Sequence, residues 1–155
     1  IQAQHKHPTC KAKIEDFMMA AYRYLLDTNT VSYFAKGLNP GLVARMAQGF
    51  SAQDMVISAI VRAELRYGVA LMAANDRRRA RMHLLLLEIP TLSWSSEAAD
   101  QFGVLKAHLK TQGTPIGDAD TQIAAHALAE KLILVTHNTR HFENVLDLKL
   151  EDWIA

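Results

Sequence analysis

Short apolar runs alternate along this chain with longer segments whose apolar residues recur every three to four positions. Residues 22–26 form a compact apolar run bounded by polar residues, which predicts a buried strand. Residues 31–36 predict a short helix closed by Gly37, and Pro40 opens another that reaches Gln48. Residues 55–57 predict a second strand. Ser58 then reads as the N-cap of a helix over residues 59–74. Asp76 caps a further helix at 77–87, and 89–94 predicts a third strand. Ser95 or Ser96 caps a helix over 97–110, stopped by Gly113 and Pro115. A helix over 119–130, the strand "LILVT" at 132–136 and a small strand at 148–150 complete the pattern.

Strands separated by helices imply parallel pairing through helical crossovers, an open α/β sheet. A continuous apolar strand such as "LILV" fits burial on both faces. The 155 residues suffice for one domain with a real core. Half of them are hydrophobic, yet no apolar run approaches the ~18 residues of a membrane helix. The single Cys10 excludes an intramolecular disulfide, so a reducing cytoplasm is the default compartment. Residues 1–17, "IQAQHKHPTCKAKIEDF", are polar and lack a signal-peptide core. They read as a poorly ordered extension, with Met18 or Met19 a natural start and residues 18–155 the domain.

The formal net charge is +1, and outside residues 1–17 the charges balance at 14 basic and 14 acidic. Nucleic acid, if bound, must therefore meet a local patch. The densest is Arg77, Arg78, Arg79 and Arg81; a solvated helix face explains it equally simply.

In open α/β sheets the functional crevice lies beyond the carboxyl ends of the strands. Asp27 follows the first strand. Asp118 and Asp120 open a late helix, and Asn138 follows the fourth strand. Asp27 alone could be a turn former or a cap. Glu64 is harder to dismiss, because Ile60, Val61 and Gly68 share its helix face. A carboxylate there needs a partner or a metal. Arg62 and Arg66 are candidate ion-pair partners, although each lies two positions away on another face. Converging carboxylates repel one another, and a divalent cation is the usual resolution. Hard oxygen donors favour Mg²⁺, or Mn²⁺, over Zn²⁺, and such a site suits phosphodiester hydrolysis. His137 and His141 are spaced four apart but lack a third soft ligand, and His126 reads as a core or rim histidine.

Four segments, "LLDTNTVSYF", "ISAIVRAELRYGVAL", "GTPIGDADTQIAAHAL" and "LILVTHNTRHFENVLDLKLEDW", resemble in this order the PIN-domain ribonucleases, specifically the VapC toxins of toxin–antitoxin modules. The resemblance implies a three-layer α/β/α fold with a parallel sheet of four to five strands. It also implies a Mg²⁺-dependent endoribonuclease whose acids fall on Asp27, Glu64 and Asp120. Gly117, Asp120, Ile123 and Ala124 fit the family pattern around the third acid, which favours Asp120 over Asp118. Asn138 takes the place of a fourth acid and adds no charge. Thr28, Asn29, Ser58, Asp118 and Thr136 are candidates to orient carboxylates or water. Arg77, Arg78, Arg81, Arg140 and Lys36 are candidates for phosphate contacts.

The segments "GTPIGDADTQIAAHA" and "NTRHFENV" are similar to an enteric subgroup that cleaves the anticodon loop of initiator tRNA. The family further implies homodimers, hetero-oligomers with a VapB antitoxin, and inhibition of translation. Tyr33, Phe34, Leu38, Tyr67 and Met72 could line the groove for that partner, or simply pack in the core. Two other readings compete. A phosphatase of the haloacid dehalogenase type needs a second Asp two residues after Asp27, where Asn29 stands. A catalytically inactive PIN-like module, binding RNA or protein, is the alternative that Asn138 keeps open.

Overall fold

The computed structural model describes residues 9–11 and 22–154. Of the expected polar extension, only residues 9–11 fall within this range, and they are exposed. The first strand, β1, is Tyr24–Leu26; α1 is Thr28–Lys36 and α2 is Pro40–Ala52. Next come β2 at Met55–Ser58, α3 at Ala59–Leu71 and α4 at Arg77–Glu88. A short β3 at Thr91–Leu92 leads to α5 at Ser96–Thr111 and α6 at Asp118–Ala129. After β4 at Ile133–Val135 comes a 3₁₀ turn, Thr139–Phe142, and then β5 at Leu150–Glu151.

The five strands lie in the order β3-β2-β1-β4-β5, and all pairs are parallel. β1 is central: Leu25 is in register with Val56 on one side and Leu134 on the other. The order steps outward from β1 to β3 and then returns to the opposite side of β1. Right-handed crossovers therefore place α1–α4 and the α5–α6 pair on opposite faces, giving the three-layer α/β/α fold. α5 and α6 pack against each other, and α1, α3 and α4 contact one another.

The strands are short but deeply buried. Leu25, Leu26, Val56, Ile57, Leu134 and Val135 have no exposed surface, and each such side chain contributes roughly 1.5–3 kcal/mol by leaving water. Gly49 belongs to this packing, because a Cβ there would collide with the Met55 side chain. At the far edge Trp153 stacks edge-on against Tyr24, and the Arg45 guanidinium covers the Trp153 ring at 4.4 Å. This aromatic–cation stack fixes the chain end on the sheet.

Some boundaries differ from the sequence reading. α1 starts at Thr28 rather than Val31, because the Asp27 side chain is itself the N-cap. The third strand shrinks to two residues and the last shifts to Leu150–Glu151. The helix after Ser58 ends at Leu71, short of Ala74. Among the described residues, no helix is long and apolar enough to cross a membrane.

Candidate functional site

The strand order reverses between β1 and β4, so the crevice opens where those two strands end. β1 delivers Asp27 there, only 7% exposed. Asp27 Oδ1 accepts from the backbone N–H of Thr30 at 2.7 Å and so caps α1. Thr30 in turn donates its hydroxyl to the carbonyl of Val135, tying that cap to β4. One carboxylate oxygen thus starts the helix. Capping and a role in the crevice are compatible in this residue.

Glu64 enters from the second turn of α3. Arg62 and Arg66 do not neutralise it. Arg62 donates to the Leu86 carbonyl and Thr91 hydroxyl, and Arg66 meets His83. Burial raises the Glu64 carboxyl above its ordinary range; the nearby Thr28 hydroxyl opposes this, and the charges of Asp120 and Asp27 reinforce it. Thr28 lies close enough to favour the carboxylate, yet neither Thr28 Oγ1 nor Glu64 Oε1 completes a well-formed hydrogen bond. A buried carboxylate oxygen without a protein donor, near two further acids, is costly to ionise.

Asp120 lies in the first turn of α6, which Gly117 enters with a φ of 88°, a backbone angle suited to glycine. Asp120 Oδ2 is 2.7 Å from His141 Nε2. No local pattern points to this contact: His141 lies 21 residues away, and its spacing pairs it with His137 instead. His137 bonds to Asp152 at 3.0 Å.

The supporting candidates divide. Ser58 Oγ accepts from the Ile60 N–H and meets His126 Nδ1 at 2.8 Å. His126 is fully buried, and burial lowers its pKa, so the ring is neutral. This contact joins the start of the Glu64 helix to the Asp120 helix. Thr136 is buried, and its hydroxyl accepts from the Asn138 N–H. Asn138 and Asn29 are exposed. Asp118 is also exposed and pairs with Lys106 at 3.0 Å. Among the basic candidates, Arg78 pairs with Asp76 at the cap of its own helix, and Arg81 reaches across to donate to the Ala35 carbonyl of α1. Arg77, Arg140 and Lys36 are exposed.

Among the described residues, no three His, Cys, Asp or Glu side chains form a ready-made metal cage. Asp27 and Asp120 both lie near enough to Glu64 for their charges to act on its carboxyl. The donor set, three carboxylates with Glu64 Oε1 unpartnered, would suit a hard divalent cation.

Residues 24–147 match the PIN domain family. The chain belongs to the PIN-domain family, among the VapC proteins. It is 39% identical over 132 residues to the ribonuclease VapC2 of Haemophilus influenzae, covering 85% of this chain and 98% of that one. It is 33% identical to the tRNA(fMet)-specific endonuclease VapC of Salmonella typhimurium, across 84% of this chain and 98% of that protein. The crystal structure of DNA-bound VapBC from the same organism superposes with a TM-score of 0.79, at 33% identity and covering 85% and 98% of the two chains. The central parallel sheet flanked by helices is the fold this VapC-family chain shares with them.

The raised Glu64 pKa has a measurable consequence. The folded state holds this proton above the ordinary value of 4.5. Its stabilising contribution is therefore complete below that pH and is lost as pH rises through the folded pKa. In chelator-treated protein, Glu64→Gln should melt above wild type at pH 7. The difference should close near pH 4. Equal melting temperatures at pH 7 would show that Glu64 bears no penalty.

Proposed function

We propose that this chain is a divalent-metal-dependent endoribonuclease toxin, restrained by a VapB-type antitoxin. The observation that carries the reading is Glu64: a part-buried carboxylate with an unpartnered oxygen, facing Asp27 and Asp120 at the strand ends. Asp27, Glu64 and Asp120 would hold Mg²⁺, with Mn²⁺ an effective substitute. When bound, the cation supplies positive charge to the scissile phosphate and acidifies water. The protein's own contribution is placement. The α1 cap fixes Asp27, the Ser58–His126 contact sets the helices of Glu64 and Asp120 against each other, and Thr28 favours ionised Glu64. Asn138 borders the crevice and offers a neutral amide to substrate or water.

The substrate is RNA with an unstacked loop, since a crevice of this kind reads splayed nucleotides more readily than duplex edges. The name of the Salmonella relative supports the initiator tRNA anticodon loop, and cleavage there would stop translation. Arg77 and Arg140 would meet phosphates at its rim. The VapBC complexes among the structural neighbours support assembly with a VapB-type antitoxin; the hetero-oligomer would be built on a toxin homodimer and act in the cytoplasm. A cleft of about 430 Å³ lined by Ala35, Leu38, Met72 and Met82, with Arg78 and Arg81 at its edge, would receive that partner. Tyr33, Leu38 and Tyr67 are exposed as this requires, whereas Phe34 packs on Phe50.

Sequencing of RNA 5′ and 3′ ends after brief induction tests the substrate. Cuts confined to one tRNA anticodon loop are expected, and scattered messenger cuts would reject the tRNA assignment. With purified protein, cleavage should vanish in EDTA and return with Mg²⁺ or Mn²⁺. Cleavage that persists in EDTA would reject the metal role, and a folded chain inert towards all RNA would favour a non-catalytic binding module.

A further inference from the structure

His141 sits outside the acidic trio yet touches it. It belongs to the 3₁₀ turn after β4, and its Nε2 lies 2.7 Å from Asp120 Oδ2 and 3.1 Å from the Ile116 carbonyl oxygen. A carboxylate and a carbonyl only accept, so Nε2 carries a hydrogen and donates to both. The imidazole is held in turn. It stands edge-on to Phe142, with ring centroids 5.3 Å apart, and Phe142 is buried. Ile116 directly precedes Gly117, and α6 begins there without a side-chain cap. One ring therefore ties the segment after β4 both to the entry of α6 and to the acid in its first turn.

We infer that His141 is a positioning residue for Asp120, fixing Oδ2 so that Oδ1 is left to face the cation beside Glu64 and Asp27. The inference rests on the ribonuclease reading above. An Asp side chain that is 42% exposed would otherwise sample several rotamers, beside a Glu64 carboxylate that repels it. A charge-assisted hydrogen bond from a packed ring selects one of them. Ligands held in this way by an outer hydrogen bond lose about 10–100-fold in metal affinity when the bond is removed.

Mn²⁺ binding to the purified full chain, followed through the electron paramagnetic resonance signal of free Mn²⁺, tests this directly. His141→Leu should weaken binding by about 10–100-fold. His141→Gln, which can place an N–H near the lost Nε2, should retain wild-type affinity, whereas the shorter His141→Asn should behave like Leu. The Asn and Gln pair keeps the test informative if the Leu variant does not fold. In RNA cleavage the Mn²⁺ concentration for half-activation should rise in step, with kcat at saturating Mn²⁺ and KM for RNA little changed. Wild-type affinity in both His141→Leu and His141→Asn would overturn the inference. Tighter binding would do so as well, by making His141 a competitor of the cation, and Gln binding as weakly as Leu would assign the effect to ring packing. Wild-type protein that binds no Mn²⁺ overturns this inference and the ribonuclease reading together. Binding and cleavage by wild type with unchanged variants overturns this inference alone.

Discussion

Asp27→Ala should reduce RNA cleavage by on the order of 10³ or more, the scale of losing one preorganised charged group at a reacting centre. Growth arrest on induction should disappear with it. The same substitution removes a helix cap, because Asp27 Oδ1 holds the Thr30 N–H, and that loss costs about 1 kcal/mol. Activity and stability therefore change together in the Ala variant, and a second variant separates them. Ser is as good a cap as Asp but carries no charge. Asp27→Ser should melt close to wild type and cleave as poorly as Ala. If Asp27→Ser keeps its activity, the carboxylate serves only as a cap and the metal reading fails. Parallel thermal melts and cleavage rates on the two proteins decide the matter.

That double duty explains why the sequence was only partly legible at this point. The apolar run before Asp27 was readable as a buried strand, because a central parallel strand is covered on both faces and needs no alternation. The following Thr-Asn-Thr fell outside the helix expected at residues 31–36, since polar β-branched and amide residues disfavour helix interiors. Here they form the first turn of α1, where the Asp27 cap overrides that preference. β3 was overestimated for a related reason. Ile89 is buried but serves as the C-cap of α4, so an apolar side chain there reflects helix docking, not strand pairing.

Glu64 was visible because its helix neighbours are apolar, a local property. What surrounds it was not visible, because it depends on elements far apart in sequence. The flanking arginines turn to Leu86, Thr91 and His83, so the nearest cations in sequence leave the carboxylate unpaired. The contacts of Ser58 with His126 and of Asp120 with His141 span 68 and 21 residues. No periodicity reports such pairs. The basic run at the start of α4 was legible only as charge. In the structure Arg78 pairs with Asp76 and Arg81 donates to the Ala35 carbonyl, both at the surface. Local charge density identifies cations but not what they already hold.

Leu25→Ala should destabilise the protein by about 2–5 kcal/mol, the range for deleting a buried leucine whose surroundings collapse only in part. The upper half of that range is expected. Leu25 has no exposed surface, and hydrogen-bonded strands flank it on both sides, in register with Val56 and Leu134. Neither neighbour can close the gap without breaking a ladder, so the cavity persists. At roughly 2–4 °C per kcal/mol for a chain of this size, the melting temperature should fall by about 6 °C or more. The urea midpoint should fall in parallel at an unchanged slope, because the surface exposed on unfolding stays nearly the same. Leu25→Met nearly conserves volume and should cost less than about 1.5 kcal/mol. A Leu25→Ala protein as stable as Leu25→Met would mean that β1 is not the packed centre of the sheet. The strand that carries Asp27 into the crevice would then lack the rigidity that a preorganised site requires.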